Sequence, residues 1–305
     1  MGRLKHMHTV PAGYLRAFRD PSADREEPHV WRYERQCDTP QLLVVGDASV
    51  KKNIYTLWTE TGPPDLSVET KLLKQGAEDG FPELITLLES RKQPSGWGWR
   101  RLSRFMAFQL LRTPRSFQLI RDACASEAGE LGRNDPQLIM ATLAPKFENY
   151  ICQMDWLLLS NRSDFAFVTS DNPVTMWANR GTCFEGGVGF CDPDLLVLLP
   201  LSPKLCLATV QTPALLASVM KDFASGGEDE GSFLKEYDLS VVCADLMVEG
   251  VVRHNKVTVA NADRYAYACC NEDRLKAFMT DCFIHRPAPV RRDDRLPIGS
   301  PRNAG

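Results

Sequence analysis

The richest apolar stretch of the chain, Asp194 to Val210, is cut in two by Pro200, Ser202, Pro203 and Lys204. Neither half approaches the roughly 18 consecutive apolar residues that a membrane helix requires, so no membrane span is expected. Leu195–Leu199 and Leu205–Val210 read instead as buried strands, and Asp164–Ser170 (DFAFVTS) has the same character. Together they predict a central sheet. His29–Arg35 and Gln41–Val45 carry β-branched and aromatic residues between turn formers, and Arg264–Cys270 (RYAYACC) is strand-like as well.

Helical patterns fill most of the remainder. After Pro11 a short helix carries Tyr14, Leu15 and Phe18. A second opens at Ser67 as its N-cap, with Glu69 in the first turn and Val68, Leu72 and Leu73 as one stripe, until Gly80 interrupts it. Pro82 then begins a helix bearing Leu84, Leu87 and Leu88. Arg100–Cys124 and Asp135–Ser160 read as two long helices kinked at Pro114 and Pro145, or as four shorter ones. Pro213–Phe223, Phe233–Val252 and Glu272–Phe283 complete the set. The expected class is α+β, mainly helical with a small central mixed sheet. Residues 1–285 are expected to form a single globular domain, and the Pro- and Arg-rich residues 286–305 a disordered tail.

A net charge of −3 argues against whole-surface attraction to nucleic acid, yet the charge is laid out unevenly. From Arg91 to Arg121 there are eight basic residues and no acidic one. On an ideal helix Arg101, Arg104, Arg112 and Arg115 make one stripe, away from the face of Leu102, Met106, Leu110, Phe117 and Ile120. Guanidinium forks suit phosphate, which makes a nucleotide or nucleic acid the expected partner. The same stripe also suits a solvated face, or one paired with an acidic segment such as Glu228, Asp229 and Glu230 in the glycine-rich loop Ser225–Ser232, which is expected to be mobile.

Ten cysteines lie in a chain too large to need stapling, and its start, MGRLKHMH, shows no export signal. Free thiols in the cytoplasm are expected. Cys269, Cys270, Cys282 and His285 come nearest to a zinc pattern, but adjacent cysteines point in different directions, which favours core thiols. There is no G-x-S-x-G, P-loop, G-x-G-x-x-G or H-E-x-x-H, which weighs against elbow-type serine hydrolases, common NTPases and zincins.

Four segments stand out as motifs: His8-Thr9-Val10-Pro11 with Tyr14-Leu15 and Phe18; Arg112-Thr113-Pro114; Phe167 to Val174 (FVTSDNPV) with Trp156 upstream; and Pro200-Leu201-Ser202-Pro203. In this order and spacing they resemble the bacterial and fungal family known as domain of unknown function 4238, over roughly residues 5–270. Asn255 and Ala262-Asp263-Arg264-Tyr265 are similar to its weaker terminal pattern. Relatives tend to carry a second glutamate on the helix of Glu69. Here Gly76 stands about two turns on, with Glu78 as the substitute. The family has no established activity, so the resemblance implies motifs and no roles.

Chemistry then nominates His8, Glu69 and Asp171 as reactive groups, since imidazole and carboxyl groups exchange protons. Arg101, Arg104, Arg112, Asn172 and Arg264 are the groups expected to hold an anionic ligand. Asp171 is also of a type that binds a divalent cation, the one cofactor considered. His8, Arg112, Asp171 and Asn172 are expected to line one cleft. An enzyme acting on a phosphate-containing ligand, a phosphoester hydrolase or nuclease, is the leading expectation. A non-catalytic nucleotide- or nucleic-acid-binding module in defence or regulation is its rival.

Overall fold

The computed structural model describes residues 6–23, 25–128, 132–178, 181–182, 189–190, 192–211, 235–236 and 241–285. Its strands are β1 (His6–His8), β2 (His29–Glu34), β3 (Gln41–Val44), β4 (Val50–Lys52), β5 (Asp155–Asn161), β6 (Thr169–Ser170), β7 (Thr175–Ala178), β8 (Gly181–Thr182), β9 (Leu196–Ser202), β10 (Leu205–Val210), β11 (Lys235–Glu236), β12 (Val241–Leu246) and β13 (Tyr265–Ala268). Its α-helices are α1 (Ala12–Leu15), α2 (Phe81–Glu89), α3 (Gly96–Leu111), α4 (Pro114–Ala128), α5 (Asp135–Cys152), α6 (Val248–Asn261) and α7 (Asp273–Met279). Val68–Glu78 is a π-helix.

The α+β class holds, but the sheet is larger than expected. Among the described residues the main sheet has seven strands in the order β11-β12-β5-β10-β9-β7-β8, antiparallel except for the β12–β5 pair. A four-stranded antiparallel sheet, β3-β2-β13-β6, and the β1–β4 pair complete the strands. The central strands read as continuous apolar runs because both of their faces are covered. Trp156 and Leu158 of β5, Val197 and Leu199 of β9 and Leu207 of β10 pack in one cluster with Leu102 and Met106 of α3 and Met140 of α5. Their neighbours Leu157, Leu159, Leu198 and Ala208 point the other way, to Val251 and Val259 of α6 and Met279 of α7. Each such leucine contributes on the order of 2 kcal/mol by leaving water.

Three segments expected to be helical or extended differ. The long helix from Asp135 runs through Pro145 but stops at Cys152, and Asp155–Asn161 is strand β5 rather than its last turns. Val241–Leu246 is likewise a strand, laid parallel to β5. Both were assigned to helices because a short apolar run fits either period when both faces are buried. Only Thr169–Ser170 of Asp164–Ser170 joins a sheet; Asn161 Nδ2 instead donates to Phe165 O at 2.7 Å and Pro203 O at 3.0 Å, holding the segment as a loop. The basic helix divides at Arg112 and Thr113, and Pro114 opens α4 with Thr113 Oγ1 accepting from Ser116 N at 3.2 Å. The helix at 213–223, the acidic loop at 225–232 and the tail at 286–305 lie outside the described residues. Among the described residues no helix is long and apolar enough to cross a membrane.

Candidate functional site

The residues of the opening motif carry the chain across the molecule by their carbonyls. His8 O accepts from Arg112 Nη2 at 2.6 Å, Thr9 O from Gln109 Nε2 at 2.9 Å, Val10 O from Ser49 Oγ at 2.5 Å and Pro11 O from Leu15 N at 3.0 Å. Tyr14 then donates to Pro200 O at 2.6 Å, while the Thr169 hydroxyl donates to the Tyr14 oxygen at 2.6 Å. Burial holds the Tyr14 hydroxyl well above its ordinary range, so it remains a donor. Three of the four motif segments therefore meet at one buried hydroxyl, and the fourth meets the first through Arg112.

Arg112 sits at the end of α3 and is fully buried. Its Nη1 pairs with Glu78 Oε1 at 2.5 Å, and its Nε donates to Tyr55 Oη at 3.2 Å while that hydroxyl donates to Arg112 O at 2.9 Å. Burial opposes its charge, but Tyr55 and Glu78 more than compensate and hold its proton more tightly than usual. Burial pushes the Tyr55 hydroxyl up to about 12. Arg112 is thus a structural cation that orders β1, the π-helix and the loop of Tyr55, with no fork left for a substrate phosphate.

The π-helix explains how Glu69 and Glu78 share this cation. Hydrogen bonds from i to i+5 give a π-helix roughly 4.4 residues per turn, so the nine residues from Glu69 to Glu78 span about two whole turns. In an α-helix of 3.6 residues per turn they would end on opposite faces. Lys74, five residues after Glu69, lies on the same side, its Nζ 4.0 Å from Glu69 Oε1. Gly76 assists the wide coil, since a Cβ there would lie 3.3 Å from Lys71 O.

Glu69 is buried at 6% exposure and its Oε2 has no hydrogen-bond partner among the described residues. Burial raises its carboxyl above the ordinary value; Arg112 opposes the shift, Glu78 adds to it, and Lys74 and His8 oppose it. His8 projects from β1, where its Nε2 meets Gly46 O at 2.8 Å. A carbonyl only accepts, so Nε2 carries the proton and Nδ1 is the basic nitrogen in the neutral ring. This corner holds His8, Glu69, Glu78, Lys74 and Arg112 together.

The other nominated residues are placed elsewhere. Asp171 Oδ1 accepts from Asp263 N at 2.8 Å, and its Oδ2 from Arg264 N at 2.7 Å and Tyr265 N at 2.9 Å. Burial raises its carboxyl to about 6 against those three donors. Asn172 Nδ2 donates to Asn261 O at 3.1 Å, and Asn261 Nδ2 returns a bond to Asn172 O at 3.0 Å. These two residues tie β6 to the α6–β13 corner and share no hydrogen bond or ion pair with the group around Glu69, so the four motif residues divide into two sets.

Arg104 makes a two-pronged pair with Glu148 at 2.8 and 3.2 Å, and Arg100 Nε joins the same carboxylate at 2.8 Å. Arg101 lies across Gly80, whose φ of +69° admits no Cβ without strain, and its Nη2 is 3.7 Å from Asp79. Arg115 Nη1 reaches Asn261 O at 3.5 Å. Arg264 pairs with Glu34, its Nε 2.7 Å from Oε1. Asp79, Glu78 and Glu148 thus hold Arg101, Arg112 and Arg104; the acidic loop proposed for that role lies outside the described residues.

Of the zinc-like set, His285 pairs with Asp38 at 2.6 Å, and Cys269 and Cys270 are free thiols, a side-chain hydrogen bond from Cys269 holding the Cys270 thiol below its ordinary value. Among the described residues no three His, Cys, Asp or Glu side chains are grouped to hold a metal. His254, absent from any motif, is fully buried between Cys206 Sγ at 2.9 Å and Phe167, and burial lowers it to about 4.

The arrangement defines an α+β protein in which a buried arginine, Arg112, ties the opening strand to a π-helix that carries Glu69 and Glu78. Residues 6–271 match the family described as Protein of unknown function (DUF4238), and the chain belongs to that family. No curated protein and no solved structure matches it.

Proposed function

We propose that this chain is a proton-transferring enzyme of the phosphoester-hydrolase class, working in the cytoplasm, with Glu69 and His8 as its reactive groups. The observation that carries the reading is Glu69: a buried carboxyl held above its ordinary value by burial, one oxygen without a donor among the described residues, with Arg112, Lys74 and His8 in its electrostatic surroundings. Hydrolysis needs one group to take a proton from the attacking water and another to protonate the leaving oxygen. An imidazole and a carboxyl that holds its proton more tightly than usual are groups of the kind that fill those roles. Lys74 adds a positive charge beside Glu69. Arg112 and Glu78 act as positioning residues, and Asp171 and Asn172 as scaffold.

The test is turnover of bis(p-nitrophenyl) phosphate and of short single-stranded RNA and DNA by wild type and Glu69→Gln. Loss of a general acid–base group lowers the rate by about 100- to 10,000-fold with the fold retained. Absence of turnover by wild type on all three, or equal rates in the variant, overturns the reading. The non-catalytic reading also has an observation of its own, a cationic and aromatic cavity next to this corner.

A further inference from the structure

The Phe117 ring meets the Tyr55 ring edge-on at 6.0 Å and forms part of the lining of a cavity of about 510 Å³. Lys52, Arg121 and Arg133 line it with Trp58, Phe117 and Gln137, and among the described residues no carboxylate does. These cations differ from the helical stripe. Arg101, Arg104 and Arg112 each have a carboxylate partner, whereas among the described residues Lys52, Arg121 and Arg133 have none.

The aromatic wall is fixed in place. Asn134 clasps the Trp58 backbone, accepting from Trp58 N at 2.9 Å and donating to Trp58 O at 2.8 Å. The Arg133 guanidinium lies 3.8 Å over the Trp58 ring, a cation–π pair that leaves the guanidinium edge free to meet an anion. Gln137, 6% exposed, donates to Ile54 O at 2.9 Å and leaves its Oε1 without a donor. A buried acceptor of this kind is costly unless something supplies an N–H or O–H.

We propose that this cavity binds a phosphorylated nucleobase unit, either a free nucleotide or a nucleotide within a single strand. Each part of that ligand has a counterpart. A planar base packs against the Trp58–Arg133 pair, and the phosphate neutralises Lys52, Arg121 and Arg133. The volume lies within the range of small-ligand sites. The site is independent of proton transfer at Glu69, since it binds whether or not Glu69 reacts.

The experiment titrates the full chain with AMP, with inorganic phosphate and with a short oligo(U) and oligo(dT) at several salt concentrations. AMP or an oligonucleotide is expected to bind at least tenfold tighter than inorganic phosphate. Saturation by AMP identifies a free nucleotide as the source, and tight binding of oligonucleotide alone identifies a strand. Arg121→Gln with Arg133→Gln weakens either ligand at least tenfold and, for a strand, lowers the salt slope by about 0.7 per lost contact. Trp58→Leu weakens nucleotide but not phosphate. Glu69→Gln leaves binding unchanged, so loss of turnover in that variant is separable from loss of the cavity. Circular dichroism melts confirm folding, and the single variants Arg121→Gln and Arg133→Gln serve where the double variant is unstable. Binding of neither ligand by wild type, or unchanged affinity in the folded arginine variants, overturns the proposal.

Discussion

Two buried carboxyls sit in opposite circumstances. Asp171 gives both oxygens to three backbone N–H groups that open β13, and it closes a corner where Asn172 and Asn261 exchange bonds with each other's backbone. Glu69 has an oxygen with no donor, and its compensating charges, Arg112 and Lys74, act without a short hydrogen bond. Burial raises the proton affinity of both. The difference shows that an elevated carboxyl is not by itself a reactive one. What matters is whether its oxygens are already used by the fold.

The sharpest way to probe the Glu69 region is to remove its anchor. Arg112→Met deletes the cation that Glu78 pairs with and the donors of His8 O and Tyr55, leaving a half-buried acid and a carbonyl uncompensated. A loss of about 3–5 kcal/mol in chemical denaturation is expected. A loss below about 1 kcal/mol would show that the corner is not organised by this pair. The Asp171 region is tested next. Asp171→Asn keeps the shape but turns an amide N–H₂ toward backbone donors, so at least one of three N–H groups loses its acceptor. The expected cost is about 2–4 kcal/mol, with turnover per folded molecule unchanged. If stability is intact and only turnover falls, Asp171 is a reactive group and the two regions exchange roles.

Much of this organisation was legible in the residues, though not the division of labour. Tyr14, Leu15 and Phe18, the turn at Pro200–Lys204 and the strand near Tyr265 follow from local period and turn chemistry. The motifs were legible too, but polar residues at strand ends looked like a substrate site, when Asp171 and Asn172 bind the protein's own backbone. Which carbonyl or amide a side chain meets depends on segments about 90 residues away, as with Asp171 and Arg264, and no local pattern encodes that. The partners of the arginine stripe are hidden for the same reason, since Glu148 pairs with Arg104 from 44 residues further along. The π-helix left a signal that an α-helical template discards. The buried positions Val68, Leu73 and Ala77 are spaced by five and four residues, and Glu69, Lys74 and Glu78 repeat that spacing one residue on.

The smallest expected effect has the most specific sign. Because the folded state holds the Glu69 proton more tightly than the unfolded chain does, Glu69 favours folding most at pH values below the ordinary carboxylate range, where it is protonated in both states. As pH rises through the folded value, the unfolded state has already released its proton and the folded state must ionise a buried group, so that contribution is lost. Gln cannot ionise and has no such loss. Glu69→Gln is therefore expected to match wild type near pH 4 and to be the more stable protein at pH 8, a gain read from paired denaturation curves. Asp171→Asn shows the contrast, since the amide cannot satisfy the three backbone donors and leaves a deficit at pH 4, which narrows by pH 8 because Asp171, raised to about 6, must also ionise in the folded state. A Glu69→Gln protein less stable than wild type at pH 8 would mean that the ionised carboxylate is bound by donors as well as Asp171 is. The two regions would then be of one kind, and Glu69 would have no free oxygen with which to react.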